Sequence, residues 1–116
     1  MENKTYEMNL LLDFFGELLS DRQRECLSLY YDDDLSLAEI AEIAGISRQG
    51  VRDNIVRATE SLHFFEEKTG LVRRFLKTRD VVERIETQLA ELSGHADERG
   101  RELIAGIAET VGDLKY

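Results

Sequence analysis

Residues 36–62 read SLAEIAEIAGISRQGVRDNIVRATESL. Ser36 stands three residues before Glu39, the spacing of a capping box in which each side chain satisfies the other residue's backbone N–H at a helix start. A short helix over 37–44 follows, with Leu37, Ile40, Ala41 and Ala44 inward. Gly45 stands where a left-handed residue closes a helix. Ser47 caps a longer helix over 48–67, whose inward stripe is Val51, Ile55, Ala58 and Leu62. Ala41 is small enough for the second helix to cross closely over the first, and Ile46 fills the space under the turn. Two helices joined through a tight glycine turn, the second pinned by Val51 and Ile55, make a helix-turn-helix, the motif that presents its second helix to the DNA major groove.

At about 100° per residue, that stripe leaves Gln49, Gly50, Asp53, Val56, Arg57 and Glu60 facing outward, flanked by Arg48 and Arg52. The chemistry suits base reading. Arginine bridges O6 and N7 of guanine, and glutamine bridges N6 and N7 of adenine. Arg57 can reach a phosphate. Ser47 can donate to one as well, although its first role is the helix cap. Asp53 and Glu60 oppose a phosphate approach from the same face, and a solvated or protein-binding face is the competing reading.

Working outward, the remaining sequence is also helical. Met8, Leu11, Leu12, Phe15, Leu18 and Leu19 give a helix over 5–19 a wide apolar face, which Leu10 and Phe14 extend. Ser20 and Gln23 form a further capping box opening a helix over 21–31, with Gln23, Cys26, Leu27, Tyr30 and Tyr31 inward. Asp32–Asp33–Asp34 ends it. Beyond Thr69–Gly70, the residues Leu71, Phe75, Thr78, Val82, Ile85, Leu89 and Leu92 keep a four-three spacing, a heptad seam. Ser93–Gly94 breaks it. A last amphipathic stretch carries Leu103, Ile104, Ile107, Val111 and Leu114, and Gly100, Gly106 and Gly112 predict fraying there. The expectation is an all-α protein: a helix-turn-helix domain over 1–69 and a helical extension over 70–116 that packs back or pairs.

Composition agrees and excludes. The 116 residues contain no proline, and 42% are hydrophobic, as in a helical globular domain. A single cysteine, Cys26, and two isolated histidines, His63 and His95, cannot form an intramolecular disulfide or a Cys/His metal cluster. The three aspartates at 32–34 lack a second carboxylate set to complete a cation cage and read as a solvated loop. There is no glycine-rich phosphate loop and no histidine in a known spacing to a nucleophile. No cofactor, no metal and no enzymatic activity are expected. The apolar run 8–19 is interrupted by Asp13 and Glu17 and is too short to span a bilayer, so a reduced, cytosolic compartment is expected. The net charge is −9, with 7 basic against 15 acidic residues over 1–69 and 8 against 9 over 70–116. A chain this acidic is repelled by nucleic acid unless its basic groups are segregated.

EIAEIAGISRQGVRDNIVRA resembles the region-four helix-turn-helix of bacterial sigma factors, which reads promoter −35 elements. The longer run MNLLLDFFGELLSDRQRECLSLYYDDDLSLAEIAEIAGISRQGVRDNI is similar to the YlxM family, small helix-turn-helix proteins of Gram-positive bacteria. The resemblance covers about residues 5–70. Its most specific pieces are MNLLLDFFGELL, the LYY-DDD-LS junction and SRQGVRDNI; beyond residue 70 only the helical character matches. Members of that family are encoded beside signal recognition particle genes. The resemblance therefore implies a regulatory or accessory role in that pathway, with DNA or the particle's protein or RNA as partner. Within it, Ser47, Arg48, Gln49, Val51, Asp53, Asn54 and Ile55 keep the family's pattern, while Arg52 stands where that pattern is often aromatic; with the side-chain chemistry above, Ser47, Arg48, Gln49, Arg52, Asn54 and Arg57 form the expected DNA-contacting set.

The apolar inventory carries one more expectation. If Leu11, Phe15 and Leu18 close over the helix-turn-helix, Leu10 and Phe14 point elsewhere, and the seam Phe75, Val82, Ile85 and Leu89 also needs a cover. A two-fold homodimer through those six residues is expected.

Overall fold

A computed structural model of the chain describes residues 2–115, with side chains from Thr5 onward. Among the described residues six helices follow one another and no strand occurs. They are α1 (Glu2–Phe15), α2 (Asp21–Tyr31), α3 (Leu37–Ala44), α4 (Arg48–Thr69), α5 (Leu71–Ser93) and α6 (Glu98–Gly112), with a 3-10 turn at Gly16–Leu18. The fold is all-α.

The helix starts follow the capping chemistry. At Ser20 the backbone N–H of Gln23 donates to the serine Oγ at 3.2 Å, and the Ser20 N–H donates to Gln23 Oε1 at 3.2 Å. At Ser36 the same reciprocal pair joins Glu39 at 3.1 and 3.0 Å. Gly45 and Gly70 close α3 and α4 at φ of 71° and 64°, a conformation open to glycine and strained for most other residues.

The end of the first helix differs from the sequence expectation in a way that re-aims side chains. The first helix does not run to residue 19: its α geometry ends at Phe15 and tightens into the 3-10 turn. Ser20 must be extended to cap α2, with ψ of 156°, so the chain has to leave helical geometry before it. The tighter turn rotates Leu18 outward, to 64% exposed, whereas Leu19 stays inward, at 7%. Tyr30, expected inward, also lies exposed at the end of α2.

The chain divides into two compact units, Met1–Val72 and Arg73–Tyr116, with the division inside α5. In the first unit α4 packs against α1, α2 and α3. Cys26, Ile40 and Val51, one from each of α2, α3 and α4, are fully buried together, with Leu29, Leu35, Leu37, Ala41, Ile46 and Ile55 around them. Along α4, Ala58 and Leu62 continue the buried stripe. The Phe15 and Phe65 rings, 5.9 Å apart, join α1 to the second half of α4.

In the second unit α6 is continuous through Gly100 and Gly106, where the sequence predicts fraying. It is capped by Asp97, whose Oδ1 accepts from the Gly100 N–H at 2.7 Å. Ile104 is buried, Ala108 and Val111 are half-buried, and Leu114 and Lys115 share a hollow with Phe75, Arg79, Val82 and Glu83 of α5. Lys115 Nζ pairs with Glu86 at 3.0 Å, and Arg101 Nε donates to the Ser93 carbonyl at 3.1 Å. The seam is therefore covered within one chain at Val82, which is 1% exposed. Leu10 is likewise closed in, at 9%. Neither offers the uncovered surface from which the sequence places both in a dimer interface. Phe14, Phe75, Ile85 and Leu89 are half-buried.

The glycines of α6 are not equivalent. A methyl group added at Gly106 meets nothing within 4 Å, whereas one at Gly100 falls 2.9 Å from the Ala96 Cβ and 3.1 Å from Asp97 Oδ1. In thermal or denaturant unfolding, Gly106→Ala is expected to stabilise by about 0.5–1 kcal/mol. Gly100→Ala is expected to destabilise, the clash outweighing the gain in helix propensity.

Candidate nucleic-acid interface

The second helix of the helix-turn-helix must be held rigidly if it is to read anything. Its N-terminus is set by Ser47, whose Oγ accepts from the Gly50 N–H at 2.9 Å. Gly50 is half-buried, although the sequence turns it outward. A Cβ there would sit 3.2 Å from Ser47 Oγ and 3.5 Å from Ile46 Cδ1, so the turn's plug and cap close over it. Val51 and Ile55 fasten the next turn to the core. A further restraint escaped the sequence reading. Arg22 of α2 donates to the Ala44 carbonyl at the end of α3, tying α2 to the turn across 22 residues. An arginine in a capping-box helix offers no local signal for so distant an acceptor.

The exposed face carries most of the expected readers. Arg48, Gln49, Arg52 and Arg57 are exposed on α4, together with Asp53 and Glu60, and Val56 is 46% exposed among them. Arg48 and Arg52 lie one turn apart near the N-terminal end, where a reading helix meets base edges. Two side chains of the expected set are engaged within the helix. Gln49 Nε2 donates to Asp53 Oδ1 at 2.9 Å. Asn54 is half-buried and its Nδ2 donates to the Gly50 carbonyl at 2.8 Å. Asn54 thus lies about 100° round the helix from Asp53, toward the buried stripe, rather than at the centre of the outward face. Ser47 is exposed, but its hydroxyl oxygen serves as the cap.

The electrostatics are mixed rather than basic. Over residues 36–62 the three basic residues Arg48, Arg52 and Arg57 are outnumbered by the four acidic residues Glu39, Glu42, Asp53 and Glu60. The carboxyl of Glu39 is held below the usual glutamate range, first by the backbone hydrogen bond from Ser36 and then by the Ser36 side chain, with desolvation opposing. Burial pushes the Cys26 thiol up; the Glu25 charge adds to this and the Arg22 charge opposes it. Its thiolate is thereby disfavoured, as suits a core side chain rather than a nucleophile. Among the described residues no group of three or more His, Cys, Asp or Glu side chains gathers where it could hold a metal ion. No helix among them is long and apolar enough to cross a membrane.

Glu39 makes the first turn of the helix-turn-helix sensitive to acid. Its folded-state pKa is depressed, so its contribution to stability is present above the unfolded carboxylate range and is lost as pH falls through the folded pKa. In melting curves from neutral to acid pH, the wild type is expected to lose its advantage over Glu39→Gln on acidification. A constant difference between the two would contradict this account.

The geometry can be set beside known proteins. The family model described as "Putative helix-turn-helix protein, YlxM / p13 like" matches residues 2–99. A UPF0122 protein of Caldanaerobacter subterraneus subsp. tengcongensis is 51% identical over 85 residues, 73% of this chain and 73% of its own length. One from Acetivibrio thermocellus is 55% identical over 78 residues, 67% of each chain. One from Thermoanaerobacter sp. strain X514 is 41% identical over 115 residues, 99% of this chain and 97% of its own.

Proposed function

The chain belongs to the UPF0122 family of YlxM / p13-like helix-turn-helix proteins, and from that premise we propose that it is a regulator that binds DNA through α4 and acts by binding rather than catalysis. The observation that carries the reading is the pair Arg48 and Arg52, exposed one turn apart at the N-terminal end of a capped, core-anchored second helix. Arg57 serves a phosphate. A role in the signal recognition particle pathway, with the protein at work in the cytoplasm, comes from the family resemblance and is part of the same proposal.

The net charge of −9 favours a second reading, in which the acidic surface docks on a basic protein of that particle or on its protein–RNA complex. The two readings separate on salt and sequence. For DNA, we expect a motif from random-library selection at low salt. About three to five phosphate contacts would give a log–log salt slope of about −3 to −4.5. Arg48→Ala with Arg52→Ala should abolish the sequence preference, each good base contact contributing ~1–3 kcal/mol. A selection that enriches no motif, together with heat on titrating the particle's RNA-binding protein, would replace the first reading by the second.

Two-fold pairing is a separate part of the proposal. With Leu10 and Val82 closed inside one chain, it rests on the half-buried Phe14, Phe75, Ile85 and Leu89. It would place two α4 helices on successive half-sites. Light scattering at micromolar concentration is expected to give twice the single-chain mass. A single-chain mass would remove the pairing and leave DNA reading to one α4 at a time.

A further inference from the structure

Asp53 is the residue on α4 that sits least well with a DNA-reading face. It is exposed near the centre of the outward surface, where a carboxylate repels phosphates, and its Oδ1 accepts the Gln49 amide at 2.9 Å. That contact has a chemical consequence. It fixes which end of the Gln49 amide is nitrogen, turns that nitrogen toward Asp53, and leaves the amide oxygen as an acceptor. A glutamine Nε2 has two hydrogens, so engaging one with Asp53 leaves the other for a base. Asp53 in turn keeps its second oxygen. The two side chains together present two acceptor oxygens and one remaining N–H, beside the guanidinium donors of Arg48 and Arg52, which precede them by one residue each.

In the major groove the bases divide by what they show. Adenine and cytosine present exocyclic amino donors; guanine and thymine present carbonyl acceptors. We propose that Gln49 and Asp53 read DNA as one unit, Gln49 on an adenine and Asp53 on the N4 amino group of a cytosine in a neighbouring base pair. Asp53 is then a specificity residue: it rejects guanine and thymine at its position by setting a carboxylate against a carbonyl oxygen, and it orients Gln49 for adenine. This rests on the proposal that α4 binds DNA.

The test is random-library selection at low salt with the full-length wild type, Asp53→Asn, Asp53→Ala and Gln49→Ala, each first shown by circular dichroism to keep the wild-type helix content. The readout is relative base preference, because removing a negative charge raises affinity for every sequence alike. The wild-type motif is expected to hold a cytosine whose preference falls by about tenfold in Asp53→Ala. In Asp53→Asn the same position is expected to shift toward adenine, the base an asparagine amide bridges. The adenine position is expected to relax in Gln49→Ala and to weaken in Asp53→Ala. A wild-type motif that both Asp53 variants bind with unchanged base preferences, only more tightly, would overturn this inference and leave DNA binding intact. A wild type that enriches no motif would overturn both.

Discussion

The burial of Cys26, Ile40 and Val51 against one another is the constraint on which the rest of the first unit depends. Each comes from a different helix, each is fully enclosed, and together they set the angle at which α4 leaves the turn. Shortening any of them would leave a cavity costing a few kcal/mol, a large share of the stability of a domain this small. The turn between α3 and α4 has little freedom once these contacts form. Gly45 takes the left-handed conformation, and its N–H and that of Ile46 both return to the Ala41 carbonyl, at 2.9 and 3.2 Å. Arg22 holds the same turn from outside, through the Ala44 carbonyl.

That rigidity gives the outward face of α4 its meaning. A reading helix has to present side chains at fixed heights above the core, and the capped, buried first turns of α4 supply this for Arg48, Gln49, Arg52 and Asp53. Under the proposed DNA reading, the mixed charge of the face is a chemical pattern: the guanidinium donors of Arg48 and Arg52 lie beside a unit rich in acceptors. Weak attraction to phosphate and selective attraction to base edges are compatible, since backbone contacts supply affinity and base contacts supply choice.

Much of this was legible in the chain itself. The capping boxes at Ser20 and Ser36, the cap at Ser47, the glycine at 45 and the four helices from α2 to α5 follow from local chemistry, because each signal acts within one turn of helix. The exposure of Arg48, Gln49, Arg52 and Arg57 follows from the position of Val51 on the same helix. The Gln49–Asp53 bond lies at a spacing of four and was within reach of the same logic. The family resemblance was carried by the same local stretches.

What the sequence pattern did not decide were local departures from ideal helix geometry and the contacts between segments distant in the chain. The sequence shows that Leu10 and the seam at Val82 are apolar and need covering, but not what covers them; tertiary packing encloses both within one chain, and α6 holds together despite its glycines. The extended backbone needed at Ser20 turned Leu18 out. Crowding by Ile46 closed over Gly50, and a carbonyl of its own helix claimed the Asn54 side chain. Helix propensity, capping and periodicity are properties of a few neighbouring residues, so the sequence determined the helices and which side chains of α4 face outward. Which apolar surface is buried against which depends on all of them at once, and only the tertiary structure decided it.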